Sequence, residues 1–433
     1  MGSDMMQSLD YATLRETVYT QKLSNGLQVM VVRRPEYSKQ FAFFAARYGG
    51  MDLRFREEDG GGWVETPAGI AHFLEHKMFD TEDGAALKTW ASNGAVDNAF
   101  TAADITGYYF EGTRGFEDNL RALLNLVSVP YFTRENVAKE QGIIAQEIRM
   151  CQDDPEDTAY YQLLESLYAH HPIRTRIVGS EESIGALTPE LLHQCHRAFY
   201  RPGNMVLCAA GNVDPERVAQ LAEEILPTGF SSPATVDLGQ PEPPGAVRNY
   251  AGRKMAVAMP VFDLGFKGTA APAGACLRQE LVAGLACDVL CGPSSAWYNR
   301  MYESGVINGS FDCFYDAAPG CAHIAAGGES REPERVREEL LAEARRLVRE
   351  GVDPALWERL KRAAYGSMVR RLNSLESTCI DLAQCYFDGD DYLRFPQLFQ
   401  SIEPEDVVQL MGAWITPERS ALSVIEPADK ENG

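Results

Sequence analysis

The segment GIAHFLEHKMFDTEDG, residues 69–84, holds His72, Glu75 and His76 in the order H-x-x-E-H. Histidines four apart stand one above the other on one face of an α-helix, so both imidazoles can reach a single cation. The carboxylate just before the second histidine projects alongside that face. It need not be a ligand, and can instead take a proton from water activated by the metal. Seven histidines are spread over 433 residues, and the pattern is expected by chance roughly once in a hundred such chains. Burying three polar side chains on one face of an otherwise apolar helix is costly without a metal or hydrogen-bond partners.

Two imidazoles leave a catalytic zinc site wanting one more protein ligand and a water. The segment KEQGIIAQEIRM, 139–150, offers Glu140 and Glu147, seven apart and therefore on one helical face. Either could be the third ligand. His170, His171, His193, His196 and His323 are the rivals, and none has a histidine four residues away.

These residues need elements to hold them. Around Asn25-Gly26, QKLSNGLQVMVVRRPE predicts two strands and a hairpin turn. Helical patterning covers about 69–92, strands about 95–112, and amphipathic helices about 115–128, 133–152, 156–169 and 189–200, the last leading into an apolar strand at 205–210. CQDDPED, 151–157, ends one helix and starts the next at Pro155. Prolines at 227, 233, 241, 243 and 244 mark an interdomain linker. The expected division is a first domain at 1–226, a linker at 227–249 and a second domain at 250–433. The halves echo each other: WASNGAVDNAF and the two helices after it resemble MYESGVINGSF and its two helices, which suggests two copies of one α+β unit.

Composition narrows the function classes. A net charge of −22 repels phosphate backbones and anionic lipid surfaces, so nucleic acid is not an expected partner. No apolar run reaches the length of about 18 needed to cross a bilayer, so no membrane partner is expected either. Ten cysteines without a CxxC pair read as reduced thiols of a cytoplasmic protein.

HFLEH, followed by a helix with E-x6-E, resembles the insulinase/pitrilysin/mitochondrial processing peptidase family of zinc metallopeptidases. NGLQVMVV, NAFT at 98–101, TGYYF at 106–110, PYFT, EQGIIAQEI, HPIRTRIVGSEESIGALT and YRPGNMVLCAAGNVDPE extend the likeness over most of the chain. The resemblance implies an α+β fold of two homologous domains, each an antiparallel-rich sheet packed with helices. It implies one Zn2+ per chain held by His72, His76 and Glu147, with Glu75 as the base that activates water and Glu140 as a catalytically important carboxylate beside the ligands. Peptide substrates would add to the edge strand at Asn98 and Ala99. The implied activity is that of an endopeptidase acting on short or unfolded peptides in a closed chamber.

The second half repeats the pattern without the chemistry: no histidine lies around Leu281–Cys291, and the Glu147 position falls near Ser367. The family also needs an Arg and a Tyr from a C-terminal homologous half or a partner subunit. Tyr302 and Asn308 stand at those places here, unless Arg300 or Tyr298 substitutes through a shifted alignment. The resemblance therefore implies a heterodimer in which this chain bears the zinc and a paralogous subunit supplies the pair. A homodimeric peptidase and a non-catalytic scaffold subunit are the alternatives.

Overall fold

The chain does reverse at Asn25-Gly26. Strands Glu16–Lys22 and Gln28–Arg33 pair antiparallel on either side, Gly26 takes the left-handed φ of 92° that the reversal requires, and the Asn25 side chain accepts from Leu27 N–H at 3.1 Å. The computed structural model describes residues 5–57, 61–82, 84–229 and 233–428. A further strand, Gln7–Tyr11, lies on the outside of this hairpin. Almost all of it is exposed, so it carries no apolar alternation that a sequence reading could detect.

Two units form. One comprises Met1–Ile148, Arg176–Leu238 and Val369–Arg394, the other Arg149–Thr175, Gly239–Met368 and Phe395–Gly433. The sheet of the first unit runs in the spatial order 7–11, 16–22, 28–33, 205–211, 40–46, 106–112, 96–101, with only 28–33 and 205–211 parallel. That of the second runs 250–255, 420–427, 261–267, 321–329, 312–318, with only 250–255 and 420–427 parallel. The last five strands of the first sheet thus repeat the order and the single parallel pair of the second. The fold is α+β and its two units are copies of one topology.

Each sheet also packs against a helix from the other half of the chain. Leu375–Phe387 covers strands 40–46 and 205–211 in the first unit. In the second, Pro155–Leu167, capped by Asp154 with Pro155 in its first turn, covers 261–267 and 420–427.

The helical patterning at 69–92 resolves into two helices, Ile70–Met78 and Ala85–Asn93. The break has a local cause. Gly84 sits at φ 63°, and its N–H is taken by Thr81 Oγ1 at 2.9 Å rather than by an intrahelical carbonyl.

Candidate metal centre

Helix Ile70–Met78 is held by its apolar face. Phe73, Leu74 and Met78 are buried against a core that includes Tyr108, Phe110, Leu123 and Ile144, each large side chain contributing about 1.5–3 kcal/mol. Gly69 precedes it at φ 92°, and a Cβ there would approach the Val178 carbonyl oxygen to 2.8 Å. Lys77 is fully buried; it pairs with Asp80 and donates to the Asn136 carbonyl at 3.4 Å. This ties the end of the helix to the start of the next critical one, Arg134–Asp153. There Thr133 and Asn136 exchange hydrogen bonds of 2.9 and 3.2 Å at the N-terminus, and Val137, Glu140, Ile144 and Ile148 form the buried stripe.

Side chains from these two helices converge. Ligand atoms of His72, His76 and Glu147 all lie within 4.8 Å of one another, the one such group of metal-ligating side chains among the described residues. His72 Nε2 is 3.4 Å from Glu147 Oε1, and His76 Nε2 is 3.8 Å from Glu147 Oε2. Tetrahedral ligands about 2.0–2.1 Å from zinc stand roughly 3.3–3.4 Å apart, so the donor types suit that ion and the separation of His72 from Glu147 matches its spacing. Glu140 is not in the group. Its Oε1 lies 3.0 Å from His76 Nδ1, which fixes the ring and leaves Nε2 toward Glu147. That hydrogen bond is the main cause of a raised His76 pKa, against the opposing effect of burial. The Glu147 carboxyl is lowered, chiefly by its interaction with His72. His72 has no such support: among the described residues its buried Nδ1 finds no partner.

Glu75, on the same helix, is buried, and its Oε2 accepts from Thr101 Oγ1 at 2.8 Å. Thr101 ends the edge strand Val96–Thr101, which carries Asn98 and Ala99 and, among the described residues, pairs with 106–112 on one side only. Asn98 Oδ1 accepts from the Ala99 N–H at 2.9 Å. Thr101 closes NAFT, 98–101, and its position at the end of that motif is the signal the sequence offers for it.

The rival histidines are engaged elsewhere. His171 Nδ1 accepts from Ile173 N–H, and its Nε2 meets the Pro319 carbonyl. His193 packs against Phe132. His196 Nε2 lies 3.0 Å from the Val127 carbonyl, and burial lowers its pKa to about 4. His323 lies between Tyr160 and Tyr168. His170 is exposed, and its backbone N–H donates to Glu242.

Comparison with known proteins gives this geometry a lineage. Residues 59–181 match the family model for insulinase, peptidase family M16, and 186–364 match the M16 inactive domain. The zinc protease YmfH of Bacillus subtilis is 33% identical over 429 residues, 98% of this chain and 100% of that protein. The chain belongs to peptidase family M16. The crystal structure of an M16-like peptidase from Alicyclobacillus acidocaldarius is 31% identical, with a TM-score of 0.90 over 95% of this chain and 99% of the other. The fold extends to a longer protein: the periplasmic protease PqqL of Escherichia coli is 18% identical with a TM-score of 0.71, and the match covers 95% of this chain but 48% of PqqL. In M16 terms, the HxxEH helix and the glutamate helix lie in the segment matching the insulinase model, and the inactive-domain match takes in helix Cys276–Cys291 and strands 312–318 and 321–329.

Proposed function

We propose that this M16 member is a zinc-dependent endopeptidase that hydrolyses short or unfolded peptides, and that it is the zinc-bearing subunit of a heterodimeric, closed-chamber enzyme. The convergence of His72, His76 and Glu147 beside a buried Glu75 carries the reading. These three residues would hold one zinc per chain, which when bound supplies Lewis acidity toward a peptide carbonyl and toward water. Glu75 accepts the proton of the attacking water and returns it to the leaving amine. Glu140 holds the His76 ring through Nδ1. The free side of strand 96–101 takes the substrate as an added strand at Asn98 and Ala99, backbone hydrogen bonds giving affinity with little side-chain selection.

Residues at the places of the Arg/Tyr pair support pairing with a paralogue. Tyr302 stacks on Tyr298 with ring centroids 5.9 Å apart, Asn308 donates to Glu329 at 2.9 Å, and Arg300 lies 3.7 Å from Glu343. Coverage of one half of the longer PqqL chain fits a subunit that is completed by a second. Ten free thiols suit the reducing cytoplasm.

The deciding experiment is peptide digestion by the purified protein, alone and mixed with its paralogue, with and without chelator. Hydrolysis that is abolished by chelator and by Glu75→Gln, the latter retaining one zinc per chain, supports the reading. Turnover indifferent to chelation or retained in Glu75→Gln sinks the assignment; equal rates with and without any paralogue sink the heterodimer.

A further inference from the structure

Thr101 is the last residue of the edge strand, and its place is fixed by backbone on both sides. It pairs with Thr106 across the hairpin, and Ala102 N–H closes the tip on the Ile105 carbonyl at 2.8 Å. The tip is clamped from outside: Gly50 N–H donates to the Ala102 carbonyl and Met51 N–H to that of Ala103, both at 2.9 Å. Gly49 is pressed so close that a Cβ would stand 2.4 Å from the Ala103 carbonyl carbon. Across the hairpin, Thr106 Oγ1 donates to the Tyr48 carbonyl at 2.7 Å. A β-branched side chain on a backbone held this tightly has few rotamers left, and the one adopted sends the hydroxyl proton to Glu75 Oε2 at 2.8 Å.

We propose that Thr101 is the positioning residue for the Glu75 carboxylate, holding one oxygen by a hydroxyl hydrogen bond so that the other faces the reacting water. The inference rests on the reading of Glu75 as the base. A carboxylate oxygen can only accept from this hydroxyl, and it goes on accepting after the other oxygen has gained a proton. The same contact therefore holds the side chain through both halves of the proton transfer. A general base must sit within hydrogen-bond reach of the proton it takes, and small misplacements are expensive. Among the described residues Thr101 makes no hydrogen bond to His72, His76 or Glu147, so its removal acts on turnover and not on metal.

Thr101→Val keeps the branched shape and removes the donor. In the active, zinc-loaded enzyme its kcat falls by about 10- to 100-fold, while KM stays within about twofold and zinc per chain is unchanged. Thr101→Ser restores the donor and brings kcat to within about threefold of wild type. Thermal unfolding reports whether the valine protein is folded; if it is not, Thr101→Ala carries the same expected loss. Wild-type kcat in a folded variant lacking the hydroxyl overturns the inference, as does a loss of activity matched by loss of zinc. Glu75→Gln separates the two levels: if it abolishes turnover and Thr101→Val does not, the positioning role fails and the proposed function stands. If neither changes turnover, the function itself fails.

Discussion

The two units place the same local geometry under different chemistry. The first carries His72, Glu75 and His76 on helix Ile70–Met78; helix Cys276–Cys291 of the second has no histidine, and its stretch Leu281–Cys291 holds one carboxylate, Asp288. In each, a hydroxyl on the edge strand donates to the helix packed beside it, Thr101 to Glu75 at 2.8 Å and Tyr315 to Gln279 at 2.9 Å. The strands concerned occupy the same place in their sheets. An amide is not a base, and Ser367 on helix Pro354–Arg371, near the place expected for the counterpart of Glu147, brings no carboxylate. The fold repeats the scaffold, and the side chains alone decide which copy has a metal-ligating cluster.

The largest effect that separates the units is loss of metal. His76→Ala removes a ligand and is expected to abolish both zinc binding and hydrolysis, whereas Cys276→Ala leaves both at wild-type levels. Metal analysis of the two purified variants checks this. Zinc retained by the first, or lost from the second, breaks the contrast.

Next in size is a stability effect confined to the second unit, where buried charge is answered by protein. Burial alone would raise Glu242, yet Lys267 and the N–H groups of Ala169, His170 and His171 hold it down to about 2. Lys267 is itself lowered, burial outweighing the pull of Glu242. The two shifts pull opposite ways on the pairing. The 2.6 Å contact between side chains only 3% and 13% exposed decides for a charged pair. A carboxyl held below its ordinary 4.5 contributes stability that is complete above about pH 4.5 and is lost as the pH falls toward 2. Glu242→Gln removes this acid dependence and leaves Lys267 buried without its counter-charge, at a cost of about 3 kcal/mol near neutral pH. Denaturant titrations between pH 2 and pH 7 measure both.

In the first unit the corresponding support is one-sided. Glu140 braces His76, while the buried Nδ1 of His72 has no partner among the described residues. Glu140→Gln is therefore expected to weaken zinc by about 10- to 100-fold without releasing it altogether, read by competition with a chelator of known affinity. An unchanged zinc affinity would mean that His76 needs no brace, and would make the two histidines equivalent.

Much of this was legible beforehand, for reasons that differ by feature. The i, i+4 spacing of His72 and His76 is a property of any helix, so their shared face needed no tertiary information. The repeat was visible because helix and strand periods recur in one order. Spacing alone could not choose between Glu140 and Glu147, since seven residues return both to one face; the structure sets them 3.0 Å from His76 Nδ1 and 3.4 Å from His72 Nε2 respectively. Which sheet the helices 155–167 and 375–387 would cover was hidden for a similar reason. An amphipathic stripe states that a face is buried and not against what. Thr101 stood in plain view in NAFT, but the acceptor of a hydroxyl is chosen by the fold.

The smallest expected effect lies in the second unit. Tyr315→Phe deletes the hydrogen bond from the edge strand of the second unit to Gln279, and keeps the ring that stacks near Trp414. A single neutral hydrogen bond is worth about 0.5–1.5 kcal/mol net, so the second unit should lose about that much stability. Turnover and zinc content should not move. Thr101→Val, by contrast, should change turnover far more than stability, because its partner is placed to handle a proton and Gln279 is not. If Tyr315→Phe slows hydrolysis in a protein of undiminished stability, the second unit has a part in the reaction, and the contrast between the two units has to be redrawn.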